Sequence, residues 1–139
     1  MKPVFADTFY WVSLTNPDDE AHARAAAFDN SDERPDIITT DEVLTEFLTF
    51  FSDKGSYWRM RAVAVARGIR SDETVQVFPQ THESFRSGFD LYAARPDKGY
   101  SLTDCIAMQT MRREGLTDVL SNDHHFAQEG FRVLFRVKL

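Results

Sequence analysis

The chain has 139 residues, of which 42% are hydrophobic, 27% charged and 13% aromatic, with only six Gly and five Pro; that composition fits one compact domain spanning 1–139 and excludes disordered, collagen-like and low-complexity classes. Sixteen Lys and Arg against 22 Asp and Glu give a net charge of −6, which argues against a protein that coats nucleic acid by charge alone. The single Cys105 excludes an intrachain disulfide framework and clusters of several thiolates. No apolar run approaches the roughly 20 residues of a membrane span, and the opening MKPVFADTF is too short and too acidic for a signal peptide. The expectation is a cytoplasmic protein with no membrane partner.

Pro3-Val4-Phe5-Ala6 is a short apolar run of buried-strand type that stops at Asp7, and a brief helix from Thr8 carries Trp11, Val12 and Leu14. Asn16-Pro17-Asp18 is a turn and helix start, and Ala21 to Phe28 reads as helix. Ile37-Ile38-Thr39-Thr40 reads as a second strand. Asp41 then opens a helix whose apolar residues Val43, Leu44, Phe47, Leu48, Phe50 and Phe51 recur at helical spacing. Gly55 ends it, and Tyr57 to Arg67 is a further helix that Gly68 is expected to stop. Thr74 to Phe78 alternates as a third strand, Thr81 to Ala94 is helical, and Arg95 to Tyr100 is a loop. Ser101 begins a helix to about Arg113. Asp118 to Ser121 is a fourth strand, His125 to Ala127 a single turn, and Phe131 to Val137 a fifth strand. Strands alternating with helices predict an α/β fold in three layers, α/β/α, around a mainly parallel central sheet.

In open parallel sheets ligands bind at the carboxyl ends of the strands, near a reversal of strand order. Asp7 sits at such an end and Asp123 just past another, although Asp is also a preferred helix N-cap. Glu46 falls at the margin of the apolar arc of its helix. Asp104 lies in line with Met108 and Met111 on a stripe that should face the core. It is also the fourth residue of a capping box, Ser101-x-x-Asp104, which is a common motif. A carboxylate buried unpartnered costs several kcal/mol, so Asp104 needs a cation, a donor or a metal. Four acids converging on one pocket cannot all stay ionised without a cation. Oxygen ligands without a thiolate or His cluster indicate Mg²⁺ or Mn²⁺ rather than zinc, and such a site typically serves phosphate chemistry.

At these residues the sequence resembles the PIN domain, and most closely the VapC-like toxins of bacterial toxin–antitoxin pairs. VFADTFYWV resembles that family's first strand, ending in Asp followed by Thr or Ser. ITTDEVLTEFLTFF resembles its second strand and helix, with the acid at Glu46. YSLTDCIAMQTM is similar to the third motif, with Asp104 before an apolar helix, and SNDHHF to the fourth, usually Thr-x-Asp-x-His-Phe. Ser121 stands where Thr is commoner, and Asp118 is a second acid near the fourth position; the spacing to Phe126 favours Asp123. The resemblance covers nearly the whole chain.

The resemblance implies a metal-dependent endoribonuclease in which Asp7, Glu46, Asp104 and Asp123 hold one or two Mg²⁺ or Mn²⁺ ions. Asp7 and Asp104 would be the most direct ligands. Glu46 and Asp123 would ligate partially or through water. Thr8, Thr103 and Ser121 would orient carboxylates or phosphate. It further implies a homodimer, an RNA substrate, and an antitoxin that inserts a peptide carrying an Arg into the acidic pocket. A housekeeping RNA-processing nuclease and a catalytically silent PIN-like binding module are the alternatives, the latter disfavoured because all four acids are present. An aspartate-based phosphatase would want a second acid two residues after Asp7, where Phe9 stands.

The remaining features are weaker. Lys54, Arg59, Arg61, Arg67 and Arg70 form a stretch without an acid, whereas ten acids lie between Asp18 and Glu46. Arg59 and Arg61 are therefore candidate RNA contacts, with a solvated helix face as the ordinary reading. Tyr57 and Trp58 beside them fit either base stacking or core packing, while Trp11 reads as core. His124 and His125 invite a general-base role, but local hydrogen bonding at the turn accounts for them. Cys105 reads as a packing thiol. Arg112 and Arg113 sit where a helix dipole favours cations.

Overall fold

A computed structural model describes residues 1–136. It holds a five-stranded sheet in the order β3-β2-β1-β4-β5, built from β1 (Val4–Ala6), β2 (Ile37–Thr40), β3 (Val75–Phe78), β4 (Asp118–Leu120) and β5 (Arg132–Val133). Every pairing is parallel, with Phe5 opposite Ile38 on one side and Val119 on the other. The connecting helices are α1 (Thr8–Thr15), α2 (His22–Asp29), α3 (Asp41–Phe50), α4 (Ser56–Ser71), α5 (His82–Ala94), α6 (Leu102–Arg113) and α7 (His124–Gln128). They complete the three-layer α/β/α arrangement expected from the alternating pattern. Central strands of a parallel sheet are covered on both faces and so read as unbroken apolar runs. Phe5, Ala6, Val119 and Leu120 accordingly have no exposed surface.

The chain builds β1, β2 and β3 outward in one direction, then returns to lay β4 on the other flank of β1. That reversal places a crevice outside the carboxyl ends of β1 and β4, the position where open α/β sheets bind ligands. The end of β2 is shaped by its two threonines. Buried Thr39 donates its hydroxyl to the Ala6 carbonyl at 2.9 Å and accepts from the Trp11 indole at 3.4 Å. Thr40 caps α3 by accepting from the Val43 amide at 3.2 Å. Strand therefore passes directly into helix, which fixes where the turns of α3, and Glu46 with them, emerge.

Two elements depart from the sequence reading. Helix α4 does not stop at Gly68 but continues to Ser71. Its buried residues are Ala62, Ala66 and Ile69, at i, i+4 and i+7, so the stripe that faces the core runs past the glycine. Burying Ile69 outweighs the ~1 kcal/mol that a glycine costs inside a helix. The helix ends at Asp72, whose carboxylate accepts from the Thr74 amide and hydroxyl at 2.8 and 2.7 Å. The fifth strand, read from Phe131 to Val137, pairs only over Arg132–Val133. The chain then turns in, because Phe135 packs with Phe9, Tyr10 and Phe28 at ring distances of 5.9–6.4 Å. Val137 lies outside the described residues.

Gly88 shows how closely α5 and α6 approach. A Cβ there would lie 2.3 Å from Ile106 Cγ1 and 3.0 Å from the Ile106 backbone nitrogen. Ile106 is itself buried, so the two helices must separate to admit a methyl group. Gly88→Ala is expected to destabilise the protein by about 2 kcal/mol, a fall of roughly 6–10 °C in melting temperature. Thermal unfolding followed by circular dichroism measures this.

Candidate metal centre

Asp7 follows β1 and occupies the N-cap position of α1, yet its side chain makes no cap hydrogen bond. Instead its Oδ2 accepts from the buried Ser121 hydroxyl at 2.9 Å. Ser121 Oγ in turn accepts from the Asp123 amide at 3.1 Å, so one hydroxyl ties the end of β1 to the loop after β4. Burial pushes the Asp7 carboxyl up to about 7; the nearby Asp104 charge adds to this, the Ser121 and Thr8 backbone hydrogen bonds oppose it, and Glu46 adds again. An acid this deep, making no side-chain cap bond to its helix, is held in an environment that suits a cation.

Asp104 satisfies both of the readings its sequence allows. Ser101 Oγ accepts from the Asp104 amide at 3.0 Å and Asp104 Oδ2 accepts from the Ser101 amide at 3.3 Å, a complete capping box. The box also fixes the carboxylate toward the other acids. Burial pushes Asp104 up to about 6, followed by the Asp123 charge and, after an opposing Ser101 hydrogen bond, that of Glu46. Glu46, half-buried on α3, thus acts on both Asp7 and Asp104. Asp123 serves as the N-cap of α7, accepting from the His125 amide at 2.9 Å. The structure therefore brings Asp7, Glu46, Asp104 and Asp123 into one electrostatically coupled group.

A second set of donors adjoins them. The ligand atoms of Asp123, His124 and His125 all lie within 4.8 Å of one another, a cluster that can coordinate a divalent metal. His125 Nδ1 stands 3.2 Å from Asp123 Oδ1 and 4.0 Å from Asp104 Oδ2. That nitrogen is buried without a hydrogen-bond partner among the described residues, as is the Thr8 hydroxyl beside Asp7. Repelling carboxylates with orphaned polar atoms at their margin are what a bound divalent ion would satisfy, so the residues present fit one. The sequence reading gave His125 only a local hydrogen-bonding role; its signal was its place two residues after an acid at a helix start, which fixes both side chains in one turn.

The supporting residues divide. Ser121 donates its hydroxyl to Asp7, and Thr8 is buried next to it in the chain. Thr103 is half-buried and its hydroxyl makes no hydrogen bond to another described residue. Arg59 and Arg61 are exposed on α4; Arg59 donates to the Ser52 carbonyl at 2.9 Å and lines a groove of about 380 Å³ with Thr45, Leu48 and Val63. Another groove, of about 360 Å³, is lined by Phe9, Asp19, Glu20, Arg24, Asn122 and Phe135 and by none of the four acids. Trp58 stacks on Phe51 at 5.2 Å, so it belongs to the core margin, whereas Tyr57 is exposed. Cys105 is buried and its thiol is pushed up to about 11 by burial, which leaves it a packing group. Arg112, read as a dipole partner, donates instead to Glu129 at 2.8 Å.

Among the described residues, no helix is long and apolar enough to cross a membrane. The chain is similar to the 23S rRNA-specific endonuclease VapC20 of Mycobacterium tuberculosis, with 27% identity over 92% of this chain and 95% of the relative. The crystal structure of that Mycobacterium tuberculosis protein, described as a sarcin–ricin loop cleaving toxin, superposes with a TM-score of 0.81 at 25% identity, covering 94% of this chain and 98% of the other. A DNA-bound VapBC structure from Salmonella typhimurium shares the fold, with a TM-score of 0.65 at 19% identity over 96% and 98% of the two chains. The PIN domain family model matches residues 4–131. With strand order, acid placement and that match in agreement, this chain belongs to the PIN domain family.

Proposed function

We propose that this protein is a divalent-metal-dependent endoribonuclease and the toxin of a toxin–antitoxin pair. The observation that carries the reading is the buried group of Asp7, Asp104 and their acidic neighbours at the reversal of strand order, where burial and mutual repulsion push two carboxyls up. Mg²⁺ or Mn²⁺ suits such oxygen donors. When bound, the ion activates water and offsets charge on the phosphoryl group. Asp7 and Asp104 would hold it directly. Glu46 and Asp123 would ligate partially or through water, and either would orient the attacking water. Ser121 locks the Asp7 carboxylate, and Thr8 offers its free hydroxyl to a carboxylate or phosphate oxygen. Water adds to phosphorus as the bond to the 3′ oxygen breaks; one proton of that water passes to a carboxylate, and the leaving oxygen takes a proton from solvent water. The products are a 3′-hydroxyl and a 5′-phosphate.

The sarcin–ricin loop named for the relative is the first RNA to test here. Incubating it with purified protein and Mg²⁺ or Mn²⁺, then mapping the new ends, is expected to give 5′-phosphate and 3′-hydroxyl termini that vanish with excess chelator. Cleavage that persists in chelator, or that leaves 2′,3′-cyclic phosphate, contradicts the mechanism. Failure to cut this loop while other RNA is cut shifts only the target.

Arg59 and Arg61 supply phosphate contacts on the face of α4. Replacing both by Ala is expected to weaken RNA binding several-fold and to reduce the slope of log affinity against log salt by about one per lost contact. An unchanged slope would return them to solvent. Apolar side chains left exposed, among them Phe85, Phe89 and Tyr92 on α5 and Tyr57 and Met60 on α4, support a homodimer and an antitoxin as protein partners.

A further inference from the structure

Glu129 follows α7 directly, at the far end from Asp123. Its side chain is only 5% exposed, and its carboxylate gathers donors from two other elements. Arg95, in the loop after α5, donates from Nε at 2.9 Å and from a terminal nitrogen at 3.3 Å. Tyr100, at the end of the same loop, donates its hydroxyl at 2.9 Å. Arg112, in the last turn of α6, donates at 2.8 Å and also reaches the Glu129 carbonyl at 3.3 Å. Burial pushes this carboxyl up, but the Arg95, Arg112 and Tyr100 hydrogen bonds outweigh it and hold the group down at about 2.

These contacts join both ends of α6 to α7. Tyr100 precedes Ser101, whose capping box fixes Asp104, and the Tyr100 ring lies edge-on to the His125 ring at 5.2 Å and 63°. Arg112 closes the other end of the same helix. Helix α7 is only five residues long and is anchored in the core by Phe126, its one buried residue, so its last turn depends on Glu129 for a tie to α6. Resting on the metal-centre reading above, we propose that Glu129 is a positioning residue: it clamps α7 and the Tyr100 loop onto α6 and so keeps Asp123 and His125 in register with Asp104.

Titration calorimetry with Mn²⁺, paired with the melting temperature of the metal-free protein, tests this. Glu129→Gln keeps the shape but leaves two guanidinium groups around an uncharged amide, so α7 is released. It is expected to bind Mn²⁺ about 10- to 100-fold more weakly, the range for residues that orient metal ligands, and Tyr100→Phe several-fold more weakly. Arg132→Gln is the control. It removes the Arg132–Asp118 pair, 2.7 Å long on the strand edge, and is expected to leave Mn²⁺ affinity unchanged whatever it does to stability. An unaltered affinity in a folded Glu129→Gln protein overturns the proposal, even if its melting temperature falls. Should that variant not fold, unaltered affinities in both Tyr100→Phe and Arg95→Gln overturn it equally. A wild-type chain that takes up no Mn²⁺ sinks the metal-centre reading itself, a different failure visible before any variant is compared.

Discussion

Asp7→Asn is expected to lower RNA cleavage by more than about 100-fold, since removing groups that merely orient metal ligands already costs 10- to 100-fold. The same substitution should raise the melting temperature of the metal-free protein. Both effects come from one environment. The Asp7 carboxyl is buried among like charges, so its ionised form is disfavoured in the folded chain, whereas an amide of the same shape carries no charge to desolvate. Ser121 can still donate to the amide oxygen at the distance it now keeps from Oδ2, which preserves the tie between β1 and the loop after β4. Kinetics on a labelled RNA and thermal melts of the same preparation test the pair of outcomes. A variant that cuts normally removes Asp7 from the machinery. One that is inactive and less stable shows that the carboxylate contributes to folding rather than opposing it.

The second large effect is the dependence of stability on pH and on metal. Asp7 and Asp104 are raised to about 7 and about 6 from an ordinary value near 3.8. Between those limits the folded chain holds protons that the unfolded chain has released. Stability contributed by these groups is therefore complete below pH 4 and is lost as pH rises through 6 and 7. Glu129 acts in the opposite sense. Its carboxyl is held down at about 2, so its contribution is present above its usual value of 4.5 and is lost as pH falls toward 2. The metal-free protein should be most stable near pH 4, where the two ranges meet, and lose a few kcal/mol, in order of magnitude, between pH 5 and pH 7.5. Mn²⁺ at 100 times its Kd should restore about 2.7 kcal/mol at the higher pH, roughly 10 °C in melting temperature, and Asp7→Asn should blunt both responses. A melting temperature that climbs from pH 5 to 7.5 without metal would contradict the burial argument.

Much of this was legible in the sequence because its causes are local. The run Val4-Phe5-Ala6 ending at Asp7, the Ile-Ile-Thr-Thr strand that becomes a helix, and the Ser101 capping box each carry their structure within a few residues. Asp7, Asp104 and Asp123 lie at element boundaries that such signals fix, whereas Glu46 lies inside α3 and was singled out only by the margin of its apolar arc. Contacts between distant segments were not legible. Gly68 lies inside α4 because Ile69 continues a buried stripe, and burial is decided by what packs against the helix. The fifth strand is short because Phe135 joins Phe9 and Phe28. Arg95 and Arg112 meet Glu129 across 34 and 17 residues of chain, and no periodicity announces such a cluster. Arg112 looked like a dipole partner because a helix end is what the sequence displays; the carboxylate it serves comes from another element.

The most direct test is to locate the ion. Crystals soaked in Mn²⁺ and measured at the manganese absorption edge should show an anomalous peak within coordinating reach of both Asp7 and Asp104, with Glu46 and Asp123 around it. A peak at Asp123, His124 and His125 alone, or none near Asp7, would contradict the account.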